Sequence, residues 1–154
     1  MRVIRFPSFR VIVPAGWADI TDSIEVDGRP FTLAHPDGVG ALQFSVALYQ
    51  SGEFPHPSPQ DLYAMVKEFG AARGLGKPYR VVLESEGLRM AAGSFDWGDD
   101  YLRVWQVSDG RSFAFITYVC ESGQEANESA ECEEIVRSLE FAPCDKANTI
   151  ARSD

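Results

Sequence analysis

The densest run of chemically capable side chains is Asp96-Trp97-Gly98-Asp99-Asp100-Tyr101, which puts three carboxylates into positions 96–100 beside an indole and a phenol. Carboxylates this close are hard oxygen donors for a divalent cation, but the D-x-D-x-D-G alternation of a calcium loop is missing. A Gly/Asp-rich turn between two strands accounts for the same residues. As a surface they also make an acidic-aromatic contact site, because the rings give rigid contact area and the carboxylates steer a basic partner. On the strand that follows, Tyr101, Arg103, Trp105 and Val107 share one face, and Leu102, Val104 and Gln106 share the other. Both faces are partly apolar. One is expected to pack under helices and the other to leave an aromatic patch exposed for binding. The candidate partner-binding residues are therefore Asp96, Trp97, Asp99, Asp100, Tyr101, Arg103 and Trp105.

Other constellations carry less. His35 and His56 lack metal-site spacing. Cys120 could meet a histidine only in space, with nothing local to activate its thiol. No G-x-S-x-G elbow is present. Gly74-Leu75-Gly76-Lys77 resembles the end of a phosphate loop, but Ala71 stands where that motif needs glycine and Pro78 where it needs Ser or Thr. It also follows a helix instead of opening one, so it reads as a helix C-cap. No catalytic residue, metal site or cofactor is expected.

The elements that must position these residues follow from composition and pattern. The chain has 154 residues, 45% hydrophobic and 24% charged, and this suits one globular domain. Its net charge is −9. That charge repels phosphate backbones and anionic lipid, which speaks against nucleic-acid and membrane partners. Between Glu84 and Asp145 stand 14 acids and 4 bases; the rest has 9 acids and 10 bases. The acidity belongs to the second half, so an attracted protein partner should be basic. The run from Glu121 to Glu134 is expected to serve mainly as a solvated face. No signal-peptide core or membrane-length apolar run appears, and a cytoplasmic location is expected. Cys120, Cys132 and Cys144 are an odd number, read as buried reduced thiols.

The first half reads as a meander: Phe9–Val13, Asp19–Val26, Pro30–His35 and Leu42–Leu48, with Asp27-Gly28 and Pro36-Asp37-Gly38 as turns. Three prolines between 54 and 59 then lead to a helix. Ser58 is its N-cap, Pro59 its first turn and Asp61 the far side of a capping box. Leu62, Met65, Val66 and Phe69 form its apolar stripe, and Gly74, Gly76 and Pro78 end it. Strands Tyr79–Glu86, Leu88–Trp97, Tyr101–Ser108 and Arg111–Glu121 follow, the last two joined at Asp109-Gly110. A second helix over 125–138 carries Cys132, Ile135, Val136 and Leu139, and Leu139–Phe141 closes as a strand. The expected fold is a single α+β domain over 1–142, a mostly antiparallel sheet with two helices on one face. A flexible polar tail is expected over 143–154.

Val13-Pro14-Ala15-Gly16-Trp17-Ala18-Asp19 is similar to the P-x-G-W-x-D opening of the PsbP/DcrB-like α+β sandwich superfamily, and Ile135-Val136-Arg137-Ser138-Leu139-Glu140-Phe141 to its I-x-x-S-L-x-F close. Between them the Ala41–Gln50 strand precedes a helix that begins at a proline, so the resemblance spans about Phe9 to Phe141. It implies Trp17 and Phe141 as core residues and a mostly non-catalytic group. That group includes photosystem accessory proteins, a Ran-binding protein, bacterial lipoproteins, and chaperones or immunity-type proteins of type VI secretion. The expected function is thus a bacterial protein-interaction module, an effector chaperone or toxin-immunity protein with a basic partner, with homodimerisation possible. The alternative is a small-ligand or lipid-tail binder with a pocket between sheet and helices, lined by Phe44, Phe69, Trp105 and Phe115.

Overall fold

The computed structural model describes residues 1–23 and 30–143. In chain order they form β1 (Arg2–Arg5), β2 (Phe9–Val13), β3 (Ala18–Asp19), β4 (Phe31–Ala34), β5 (Gly40–Ala47), α1 (Pro59–Ala72), β6 (Tyr79–Glu84), β7 (Arg89–Trp97), β8 (Asp100–Ser108), β9 (Phe113–Glu121), α2 (Ser129–Arg137) and β10 (Glu140–Phe141). Seven strands make an antiparallel sheet in the order β3-β4-β5-β9-β8-β7-β6, and β1-β2-β10 make a small second sheet. The expected α+β sandwich, with two helices packed on a mostly antiparallel meander, is the architecture observed. β1 was not anticipated, because Arg2 and Arg5 interrupt its apolar pattern. The expected 24–26 end of the second strand, the Asp27-Gly28 turn, Cys144 and the tail beyond Pro143 lie outside the described residues.

The two helices lie on opposite faces of the large sheet, not on one. Leu62 and Val66 of α1 pack on Ala91, Phe95, Leu102 and Val104. The other face meets α2 and the small sheet, and Trp17, Phe9, Phe44, Trp105, Ile116, Cys132 and Ile135 join in one core there. Strand periodicity makes this division unavoidable: successive β8 residues point to opposite faces, and apolar residues occupy both.

Local chemistry sets the ends of α1. Ser58 Oγ accepts from the Asp61 amide (3.0 Å) and Asp61 Oδ2 accepts from the Ser58 amide (2.9 Å), the reciprocal box expected from sequence. The helix approaches the sheet closely at Gly70, where an added Cβ would clash with the Phe95 ring. α2 is shorter than expected because a single 3-10 turn, Glu125–Asn127, precedes it. At the sheet's edge, β6 carries an irregularity between Tyr79 and Val82, with Arg80 at φ 52°. Such a bulge twists an edge away from foreign strands.

Candidate functional site

Strand register divides the candidate residues into two environments. Asp96, Trp97, Asp99 and Asp100 surround the β7–β8 turn and are all exposed, Trp97 to 53%. Tyr101, Arg103 and Trp105 are exposed to only 3%, 7% and 1%. They face α2 and belong to the interior, so the aromatic patch expected on their strand face is covered.

Beneath α2 these buried residues form a polar network. Arg103 Nε donates to Glu133 Oε2 (3.0 Å), and its Nη1 donates to Ser94 Oγ (2.9 Å) and the Arg80 carbonyl (2.7 Å). Ser94 Oγ lies 2.7 Å from the Tyr101 hydroxyl. Trp105 Nε1 donates to Glu133 Oε1 (3.1 Å), and Arg137 Nη1 reaches the same oxygen (3.0 Å). Arg137 also pairs with Glu84 at 2.7 Å, which holds the Glu84 carboxyl below its usual range. Tyr118 donates its hydroxyl to Glu128 (2.7 Å), and Trp17 Nε1 donates to Glu131 (3.1 Å). The glutamates of α2, expected to face water, are thus divided. Glu128 at the N-cap holds Tyr118 of β9, Glu131 holds Trp17 of the β2–β3 connection and Glu133 holds Trp105 of β8, while Glu134 is exposed. A charged group inside is tolerated only when paired and hydrogen-bonded, as Arg103 is.

Cys120 and Cys132 are free and buried, as expected, and burial pushes both thiols up, away from the reactive thiolate. Among the described residues no group of three or more His, Cys, Asp or Glu side chains could hold a metal ion. His35 Nδ1 accepts from the Asp37 amide (3.1 Å), and its ring meets Trp17 edge-on. No described helix is long and apolar enough to cross a membrane. The proposed ligand lining does not assemble: Phe44 and Trp105 lie in the α2-side core, whereas Phe69 and Phe115 pack with the α1-side cluster.

The exposed turn sits at an acidic end of the molecule. β5 starts at Gly40, opposite Cys120; β8 starts at Asp100, opposite Glu121; β7 ends at Trp97, opposite Asp100. The β4–β5 turn, the β7–β8 turn and the β9–α2 connection therefore converge, carrying Asp37, Asp96, Asp99, Asp100, Glu121 and Glu125. Tyr79 donates its hydroxyl to Asp96 (2.7 Å), and partial burial together with that carboxylate raises the phenol to about 12. Arg80 reaches Glu125 at 3.5 Å. Among the described residues, Asp99, Asp100 and Glu121 enter no ion pair.

No family model and no curated protein matches the chain. Its fold is similar to solved structures. Cyanobacterial PsbP (CyanoP) from Synechocystis sp. PCC 6803 matches with a TM-score of 0.58 and 7% identity, covering 87% of this chain and 86% of that one. A point mutant of Mog1 matches with a TM-score of 0.57 and 13% identity, covering 90% and 94%. A protein from Bacteroides thetaiotaomicron matches with a TM-score of 0.54 and 16% identity, and this chain spans only 45% of it. The likeness is to PsbP-like and related sandwich folds, and at these identities it is a likeness of fold.

Proposed function

We propose that this protein is a non-catalytic interaction module that binds a basic protein partner at its acidic end. The observation that carries this is Trp97, 53% exposed on a turn whose neighbours Asp96, Asp99 and Asp100 are exposed too. A large exposed ring gives contact area at low entropic cost, and unneutralised carboxylates around it speed the encounter with a cationic surface. The buried members of the candidate set, Tyr101, Arg103 and Trp105, act by fixing the strand that presents the turn. A narrower form of the same function, effector chaperone or toxin-immunity protein, is supported by the acidity and by the resemblance of the opening and closing motifs.

The test compares the native protein with Trp97→Ala/Asp99→Asn as immobilised baits in extract of its own host. A basic protein should be retained by the native bait, released as salt rises, and lost from the variant. Equal retention by both baits, or retention of acidic proteins only, sinks the proposal.

A further inference from the structure

Among the described residues α1 is the one helix on its face of the large sheet, and it leaves the β9–β5 part of that face partly open, with Phe113, Phe115 and Val119 packed on the α1 cluster by one side only. On the α1 side, the register sets residues in rows across the sheet: Trp97-Asp100-Glu121, then Phe95-Leu102-Val119-Ala41, then Gly93-Val104-Thr117-Gln43, then Ala91-Gln106-Phe115-Ser45. α1 covers the β7 and β8 ends of these rows. Along β9, Phe113, Phe115, Thr117 and Val119 remain half-buried, and on β5 Ser45 and Ala47 are exposed. Met65 of α1 overhangs the same strip, 38% exposed, and a shallow groove of about 300 Å³ runs there between it, Phe113, Phe115 and Ser45.

The dimensions and chemistry of this strip are those of a helix seat. Strands β9 and β5, each occupying about 4.8 Å of the sheet, give a lane close to the roughly 10 Å diameter of a helix, bounded on β4 by the fully buried Thr32. Its floor sets Phe113, Phe115 and Val119 of β9 beside Ala47, Ser45 and Ala41 of β5, with the polar pair Thr117–Gln43 between them, and side-chain ridges pack into such relief. Its acidic end is marked by Asp100 and Glu121, directly opposed across β8 and β9. Like charges so placed repel, and neither has a cation among the described residues. A cationic group arriving from outside would relieve that repulsion, and the apolar floor beside it calls for an apolar stripe on the same visitor.

We infer that the bare β5–β9 strip seats one amphipathic helix of a partner protein, its apolar stripe on Phe113, Phe115 and Val119 and its basic end over Asp100 and Glu121. The inference rests on the interaction function proposed above, and it names the surface and the secondary structure of the partner. Its test places an aromatic photo-crosslinking amino acid at Ser45, in the strip, or at Trp97, where it keeps a large ring in the turn, of the full chain in its host, and sequences the adducted peptides. Both positions are exposed, so the substitutions leave the core intact. The expected result is one partner segment adducted from Ser45, with apolar residues at i, i+3, i+4 and i+7 and Lys or Arg at the end that Trp97 also labels. Ala47→Lys and the pair Asp100→Asn/Glu121→Gln should each lower the Ser45 yield roughly tenfold at an unchanged melting temperature or a higher one. Adducts from Trp97 alone overturn the helix seat and leave the interaction function standing. Adducts from neither position overturn both. A Ser45 adduct to a second copy of this chain, or to a segment without the stripe and basic end, also overturns the helix seat.

Discussion

Asp100 and Glu121 illustrate how a residue pair carries a cost that the fold does not need. They stand opposite each other on adjacent antiparallel strands, and like charges in that position are destabilising. Asp100→Asn should therefore raise stability by about 0.2–1 kcal/mol, read as a higher urea midpoint at unchanged slope. The gain should shrink in concentrated salt, which screens exposed charges. A lower midpoint would mean that the carboxylate has a stabilising contact and that the pair is not in conflict. Glu128, Glu131 and Glu133 are the same kind of residue in the same acidic stretch, and they do the reverse, holding Tyr118, Trp17 and Trp105. Sequence shows one run of glutamates in both cases. It does not show that Trp17, 114 positions away, supplies a donor to Glu131. For that reason the solvated-face expectation failed on three of these residues, whereas the exposed carboxylates of the 96–100 turn were legible from their Gly-Asp context.

At the scale of elements, α2 is a polar clamp as much as an apolar stripe. Glu133 accepts from Arg103, Trp105 and Arg137 together. Its side chain keeps 25% exposure and that of Arg103 only 8%. Glu133→Gln leaves the shape but strips Arg103 of its counter-charge. A cost of about 2–4 kcal/mol follows, at or below the range for breaking a fully buried pair because Glu133 is partly hydrated. The exposed neighbour change Glu134→Gln should stay within about 0.5 kcal/mol. Urea unfolding of the two variants checks this, and equal, small effects would show that water already screens Arg103. The apolar positions of α2 were readable from spacing. For α1 the expected stripe was Leu62, Met65, Val66 and Phe69, yet the helix buries Leu62, Val66 and Gly70. Gly70 lets the helix settle against Phe95, and that rotation swings Met65 out over the bare strip. Periodicity finds the stripe; a close approach by a residue without a side chain leaves no hydrophobic signal.

At the scale of the whole molecule, the placement of the helices on opposite faces makes two cores of unequal size. Sequence yields the number of apolar stripes but not the side of the sheet each one takes, and the apolar residues on both faces of β8 were the one sign that both sides would be covered. Among the described residues the α2-side core holds 21 buried side chains. The α1-side cluster holds six. Hydrophobic stabilisation scales with the apolar area removed from water, so α1 has much less to hold it than the opposite layer. The central strands β8 and β9 are paired on both edges, β8 along its full length and β9 at every residue but Glu121 on the β5 side, and they are shared by both cores. They should open only with global unfolding. α1 should detach first, in a partial opening of lower free energy than the global one. Native-state hydrogen exchange in low denaturant measures this directly: the α1 amides should merge into one isotherm below that of β8 and β9. If they exchange only at the global free energy, the two layers unfold as one unit. If α1 does open separately, a helix bound on the adjacent strip and packed against Met65 should raise the α1 isotherm by as much as that of β8, because a ligand that binds only the closed form stabilises it against every opening that abolishes binding, and an α1 isotherm that stays in place while that of β8 rises would show that the helix does not need α1.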